Sequence, residues 1–361
     1  MFSPKIAIIG AGPAGCMLGR VLSPSDIPFT IYESEAGPNY YSQGGTLGLH
    51  PQTGLTAVKE SELWAEFEKH LRFDSDYVLI SDKNLKPMVL ARSRWGYRLQ
   101  RVEGDGSLVF EHVTESGFDL IVGCEGGWSK VRGYVAPAAK PGYTGIGHHR
   151  LAIPDAERTA PDLCKIVNRG QASTRSENWT QTCGYNPHNI EQVRKAILED
   201  MYDWSPQLRE AIEKAGDGVC DPKNIYALLV GLRWQHRRGA TIIGDAAHLT
   251  APFAEEGVDV ALDDARRLGA AIVKAIQAGG EQDELDREVR ASEEEMFARM
   301  EIYQRQTDEI TALWFFSEGS MRQVMPKVIL TYAKDRVPTM LVPLAWGLVP
   351  SWWAIKTRLS G

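Results

Sequence analysis

At 361 residues the chain is long enough for two domains, or for one large α/β domain with an insertion. Its 43% hydrophobic and 24% charged residues are ordinary for a globular protein, and a formal net charge of −7 with no basic tract argues against a nucleic-acid partner. Five scattered cysteines (Cys16, Cys124, Cys164, Cys183 and Cys220) form no CxxC pair and suggest neither a disulfide framework nor a zinc site. The first strand opens too close to Met1 for a signal peptide, so a cytoplasmic, reducing location is expected, and the Asn178-Trp-Thr180 triplet is read as chance.

The first stretch is the most informative. Residues 5–10 read Lys-Ile-Ala-Ile-Ile-Gly, an apolar run into a glycine turn, Gly10-Ala-Gly12-Pro13-Ala14-Gly15. An apolar-periodic helix follows to Leu22, and a second strand ends at Glu33. This is a βαβ unit with a dinucleotide fingerprint. Gly10 permits the tight turn, Gly12 lets the backbone approach a pyrophosphate, and Gly15 lets the helix lie close to the strand. The helix start offers N–H groups and partial positive charge to phosphates, and Glu33 suits ribose hydroxyls.

A polar loop then leads to a Gly44-Gly45-Thr-Leu-Gly48-Leu-His50-Pro51 stretch, where paired glycines permit unusual backbone angles or close approach to a ligand. Residues 53–70 are helical in pattern, 77–90 alternate like strands, 92–101 are extended, and 107–113 form another strand. A buried-type strand over 119–123 runs into Cys124-Glu125-Gly126-Gly127-Trp128-Ser129. The mixed, polar-turn-rich region that follows reads as an inserted second domain, with helices over 190–201 and 206–215 and a strand over 225–232. The first fold resumes at Ala240, whose strand ends in Gly244-Asp245-Ala-Ala-His248. Long helices are expected over 258–278 and 283–316. The second carries a stripe of Leu285, Val289, Met296, Met300, Tyr303, Ile310 and Trp314 that reads as packing. Residues 337–355 lack charge but contain Pro338, Pro343 and Pro350. This tail suits packing over the body or peripheral membrane contact through Trp346, Trp352 and Trp353 better than a full span.

Three separated pieces agree: the fingerprint, residues 119–132, and Gly244-Asp245 with Pro252-Phe253-Ala-Glu-Glu-Gly257. Together they resemble the class A FAD-dependent aromatic hydroxylases, the family of p-hydroxybenzoate hydroxylase. The Gly44–His50 stretch with Pro252-Phe253-Ala254 looks most like the tetracycline-inactivating monooxygenases and their fungal relatives. The resemblance implies a Rossmann-like α/β FAD-binding domain of glutathione-reductase type over 1–132 and 240–282. It also implies an inserted mixed-sheet substrate domain over 133–239, shortened, and C-terminal helices with an apolar tail over 283–361. It implies FAD held by Gly10, Gly12, Pro13, Ala14, Gly15, Glu33, Gly45, Asp245, Pro252, Gly257 and Val258, with Asp245 on the ribityl hydroxyls and Pro252 and Phe253 bordering the substrate. NAD(P)H would be co-substrate, O2 would supply the oxygen, and the substrate would be an aromatic or polycyclic small molecule of secondary metabolism. No catalytic residue is assigned, because the cofactor carries the chemistry, and His248 is expected to be structural.

The sequence departs from the family's pattern at several points. Glu255 stands where Gly is usual, Asp259 where Asn is usual, and Glu125 where the Asp of an Asp-Gly motif is usual. Tyr41 replaces an arginine and Gly48 an aspartate of the tetracycline-type enzymes. A helix that relatives carry before the strand at Arg94 has no counterpart, and the middle domain is short near 168–178, either as real deletions or because the sequence is incomplete there. The alternative reading is therefore an FAD-fold protein without oxygen transfer, either another flavin oxidoreductase or a binding or cyclising protein with an impaired flavin site. The absence of a Trp-x-Trp-x-Ile-Pro motif disfavours a halogenase, and a plain NAD-dependent dehydrogenase would leave residues 244–257 unexplained.

Overall fold

The computed structural model describes residues 2–35, 49–70, 93–94, 97–151, 153, 155–161, 184–202, 206–216, 220–318, 321–334 and 348–350. The expectations for Tyr41, Gly45 and Gly48, for 77–90, for the junction at 91–92, for 168–178 and for most of the apolar tail fall outside them.

The fingerprint folds as read. β1 (Ile6–Ile9), α1 (Pro13–Leu22) and β2 (Phe29–Tyr32) make a βαβ unit, with Ile6 opposite Phe29 and Ile9 opposite Tyr32 in parallel register. Next come α2 (Gly54–Glu60), α3 (Trp64–Phe67), β3 (Ser93–Arg94), β4 (Leu99–Val102), β5 (Leu108–Phe110), β6 (Thr114–Glu115), β7 (Leu120–Gly123) and α4 (Lys130–Val135). β8 (Gly142–Leu151), α5 (Ala156–Thr159), α6 (Ile190–Asp200), α7 (Pro206–Glu213) and β9 (Cys220–Ala227) follow. The chain ends with β10 (Ala240–Ile242), α8 (Asp245–His248), α9 (Gly257–Gln277), α10 (Gln282–Phe315) and α11 (Met321–Lys334).

The main sheet has five parallel strands in the order β10-β7-β1-β2-β3. β1 and β7 are buried at every position, the pattern of parallel strands covered on both faces. Beside it, β4, β5 and β6 form a small antiparallel sheet. Phe110 of that sheet stacks on Tyr32 at 4.8 Å between ring centres, and Tyr97 closes on both rings. Residues 93–102 are strand at both described ends, as their extended pattern suggested.

β8 and β9 pair antiparallel, Gly142 opposite Ala227 and Leu151 opposite Cys220. The strand expected over 225–232 is shifted toward the N-terminus. It stops at Ala227 because the N–H of Leu228 bonds to the Leu249 carbonyl at 2.8 Å, and a turn at Gly231 with φ 71° redirects the chain.

The long helices cover the sheet. α9 crosses α1 closely at Gly269, where a Cβ would fall 2.5 Å from Val21 Cγ1, and Leu268, Ile272 and Ala275 are buried nearby. α10 has 34 residues, about 51 Å at the helical rise. Its Leu285, Val289, Met296, Met300 and Ile310 are buried, as the stripe predicted, with Tyr303 and Trp314 half-buried. Among the described residues, no helix is long and apolar enough to cross a membrane.

Candidate functional site: a groove between three turns

The glycine turn leaves room on one side only. Gly10 has φ 100°, and a Cβ there would sit 2.7 Å from the Cys124 carbonyl oxygen. A Cβ on Gly15 would lie 2.0 Å from the Gly10 carbonyl oxygen, so only glycine allows α1 to rest against the turn. Gly12 differs: the nearest atom to a Cβ there is 4.0 Å away. No side chain caps α1. Pro13 has no N–H, so the donors of Ala14 and Gly15 stand outside the helix's own ladder. Glu33 sits at the end of β2 and fixes the turn. Its Oε2 accepts from the Ala11 N–H at 2.7 Å, and its Oε1 accepts from the Ser34 hydroxyl at 3.0 Å and the Glu35 N–H at 3.1 Å.

Asp245 lies near the start of α1. It follows β10 at Gly244, which has φ 60°. A Cβ on Gly244 would lie 3.5 Å from Ala14 Cβ and 3.1 Å from Ala261 Cβ, so the starts of α1, α8 and α9 converge there. A Cβ on Gly257 would lie 4.0 Å from Asp245 Oδ1. Asp245 is exposed, yet protein crowds it closely enough that lost hydration raises its carboxyl above the ordinary value, against the pull of His248. An accessible carboxylate on a crowded floor describes a groove. The space kept at Gly12, the free donors of α1 and the placement of Asp245 fit an extended dinucleotide with a hydroxylated chain.

The neighbouring residues are mostly scaffold. His248 is buried, its Nε2 2.5 Å from Asp264 Oδ2, and Asp264 Oδ1 accepts from Arg299 at 2.5 Å. That is the structural role expected of it. Glu125 accepts at Oε1 from the N–H groups of Lys130 and Val131 at 2.9 and 2.8 Å, while the Ser129 hydroxyl accepts from the Arg132 N–H at 2.8 Å. Its extra methylene lets it cap α4, and burial raises its carboxyl. Arg132 is 3% exposed and donates to the carbonyls of Gly127 and Ala246 at 2.5 and 3.0 Å, tying this loop to α8.

Pro252, Phe253 and Ala254 form one tight helical turn. Pro252 is exposed, whereas Phe253 is half-buried, 4.5 Å from the Phe315 ring and 6.1 Å from Trp314. The Tyr332 hydroxyl donates to the Phe253 carbonyl at 3.2 Å. The indole N–H of Trp314 is buried with no hydrogen-bond partner among the described residues, an orphaned donor beside Phe253.

One cluster was not legible in advance. Of the three acids at the start of α9, Glu255 is exposed, but Glu256 is 5% and Asp259 0% exposed. Both inward acids meet His50. Its Nδ1 lies 3.3 Å from Glu256 Oε2 and 3.4 Å from Asp259 Oδ2, and its N–H donates to Asp259 Oδ1 at 2.7 Å. The adjacent carboxylates of Asp259 and then Glu256 lift the imidazole to about 10. Asp259 is held below the usual carboxylate range by His50 and Thr53, although burial pushes the other way. The pairing spans 209 residues, and its only sequence signal was a histidine beside the glycine-rich stretch.

No protein-family model matches the chain. The monooxygenase penA of Penicillium thymicola is 27% identical over 73% of this chain and 83% of its own length. Among solved structures, Klebsiella pneumoniae HpxO complexed with FAD and uric acid aligns over 97% of this chain and 98% of its own, with TM-score 0.65 and 16% identity. The tetracycline destructase Tet(51) aligns over 96% and 99%, with TM-score 0.61 and 15% identity. The chain is a distant relative of the FAD-dependent monooxygenases. The resemblance read from the glycine turn, Asp245 and Pro252 therefore holds at the level of the family, and the α/β fold with its parallel sheet and long helices agrees with these structures.

Proposed function

We propose that the chain is an FAD-dependent monooxygenase that uses NAD(P)H and O2 to hydroxylate an aromatic or polycyclic small molecule. The observation that carries this is the packing of Gly244, the residue before Asp245, against Ala14 at the start of α1, from distant parts of the chain. The α1 start, over Gly10, Gly12, Pro13, Ala14 and Gly15, would hold the pyrophosphate with free N–H groups and its partial charge. Glu33, already fixing Ala11, would reach the adenosine ribose. Asp245 would accept from the ribityl hydroxyls, and the α9 start at Gly257 and Val258 would border the ring. The bound flavin would supply the redox chemistry and the activation of oxygen.

The protein's own part is positioning and drying. Pro252 and Phe253 would flank the substrate, and Phe253, Trp314 and Phe315 supply an aromatic wall that excludes water. The Trp314 indole N–H would find its acceptor in a substrate oxygen. His248 is engaged by Asp264. We divide the chain into a discontinuous FAD domain of glutathione-reductase type over 1–132 and 240–282, a substrate domain over 133–239, and C-terminal helices from 283. Gly45 belongs with the cofactor set by its sequence context.

The acids at the α9 start favour a second reading, an FAD-fold protein without oxygen transfer, because negative charge there opposes an anionic ligand. One experiment separates the two. Purified full-length protein should be yellow, release FAD on denaturation, and consume NAD(P)H and O2 when an aromatic substrate is added. FAD binding with no oxygenated product from any aromatic or polycyclic compound tried would select the second reading. A colourless protein that cannot be reconstituted with FAD would defeat the first reading and select the branch of the second in which the flavin site is impaired and the pocket serves binding or cyclisation.

A further inference from the structure

We infer that His50 is a positioning residue for the bound dinucleotide: it pins residues 49–54 to the start of α9 and offsets the two buried carboxylates where that helix borders the groove. The inference rests on the FAD reading above.

A helix start attracts anions, and no side chain caps α9. Glu256 is its N-cap residue and Asp259 lies in its first turn, both buried, beside Gly257, where a Cβ would lie 4.0 Å from Asp245 Oδ1. Two buried carboxylates there would cancel the helix's partial positive charge and repel an anionic ligand. They would also be costly to desolvate without a cation. His50, with Nδ1 3.3 Å from Glu256 Oε2 and 3.4 Å from Asp259 Oδ2, supplies that cation when its ring is protonated. Glu255 faces it from the preceding turn, and Tyr303 of α10 faces the two acids, with Arg299 one turn earlier on the same helix. With His50 charged, the Glu256–Asp259 pair carries one net negative charge through the imidazolium; without it, two.

The contacts also explain the local chain path. Asp259 Oδ1 accepts from the N–H groups of His50 and Gly54 at 2.7 and 3.0 Å, and Oδ2 accepts from the Thr53 hydroxyl. Asp259 thus caps α2 from a distant helix. A Cβ on Gly54 would fall 2.4 Å from Asp259 Oδ1, so only glycine permits this approach. The ligating atoms of His50, Glu256 and Asp259 lie within 4.8 Å of one another, the spacing of a metal site. However, both Asp259 oxygens already face donors, the N–H groups of His50 and Gly54 at Oδ1 and the Thr53 hydroxyl at Oδ2, which favours an ion triad. An asparagine at 259 would need no such cation, so the aspartate and His50 form a charge-matched pair.

The test titrates apoprotein with FAD and measures the flavin midpoint potential in wild type, His50→Gln, Asp259→Asn and the double variant. His50→Gln should raise the FAD Kd at least tenfold. It should also disfavour the reduced, anionic flavin tenfold relative to the oxidised form, which is about 30 mV for a two-electron couple. The double variant should recover most of both losses, because one charge leaves with each partner. Wild-type FAD binding and potential in His50→Gln, with only thermal stability changed, would overturn the inference, as would additive losses in the double variant. So would a stoichiometric divalent metal in purified protein whose chelation reproduces the His50→Gln behaviour.

If His50→Gln does not fold, NMR of the His50 imidazole in wild-type apoprotein decides. A charged ring at pH 8 supports the triad and a neutral one overturns it. Failure of the wild-type chain to bind FAD would overturn the proposed function and the inference together, whereas wild-type binding with an unaltered His50→Gln overturns the inference alone.

Discussion

The starts of α1 and α9 border the same groove and are built in opposite ways. At α1 the chain strips atoms away: Gly10 and Gly15 are packed to the limit so that Gly12 stands open. At α9 it adds side chains and charge, two buried carboxylates held by one imidazole. On the proposed reading, the first end would make affinity by leaving space and free donors. The second makes position by filling space and balancing charge. An uncapped helix start can therefore be prepared for an anion either by removing competitors or by neutralising them.

The largest effect should come from crowding the first end. Gly15→Ala places a methyl group against the Gly10 carbonyl and should destabilise the fold by about 3 kcal/mol, at the upper end for overpacking, as measured by urea unfolding. Gly12→Ala meets no atom closer than 4.0 Å. It should change stability by less than about 1 kcal/mol while weakening FAD binding about tenfold. If both glycines respond alike in stability, the distinction between a packed and an open glycine fails.

Next in size is Asp245, which stands between the two ends. Asp245→Ala removes an exposed carboxylate from a groove and should leave unfolding almost unchanged. Apoprotein titration should show FAD bound ten- to a hundredfold more weakly, about 1.4–2.8 kcal/mol. Unchanged affinity would separate the α8 turn from the cofactor and remove the reason for joining the two ends in one site.

Much of the first end was legible because its determinants are local. Gly10, Gly12, Gly15 and Glu33 fall within one βαβ unit whose spacing is a local pattern, although the space at Gly10 and Gly12 is set by the Cys124 carbonyl from a distant part of the chain. The α9 helix and its start were legible for the same reason. The partner of its acids was not, because His50 and Asp259 meet across 209 residues and neither belongs to a periodic pattern. Sequence reasoning set solvent-facing glutamates against acids competing with the phosphates. The structure divides them, Glu255 outward and Glu256 and Asp259 inward. The strand shift at Ala227 has a similar origin, since the bond from Leu228 to Leu249 is a tertiary contact that strand propensity over 225–232 does not encode.

The charge-balanced end should respond to pH, and the open end should not. His50 is raised to about 10 from an ordinary value near 6.5, so its contribution is fully present below pH 6.5 and is lost as pH rises toward 10. Asp259 is lowered, so its contribution is present above the ordinary carboxylate pKa and is lost in acid below it. His50 is half-exposed and screened by solvent, which limits the alkaline loss to about 1–2 kcal/mol. Denaturation of wild type should show that decline between pH 6.5 and 10, and His50→Gln should flatten it. An equal decline in both proteins would mean that other groups set the alkaline limb.

The smallest effect isolates backbone from charge at the second end. Glu255 has φ 61°, the left-handed region that costs a residue with a Cβ about 1–2 kcal/mol. Its side chain is exposed, so replacing it should break no buried contact. Glu255→Gly relieves the strain, loses some of the gain to the greater freedom of glycine in the unfolded chain, and should stabilise by about 0.5–1 kcal/mol. It also removes one negative charge facing His50, so FAD affinity should rise slightly or hold. Glu255→Gln keeps the strain and removes the charge. If Gly stabilises and Gln does not, the backbone explains the effect; if both tighten FAD equally, the exposed charge does.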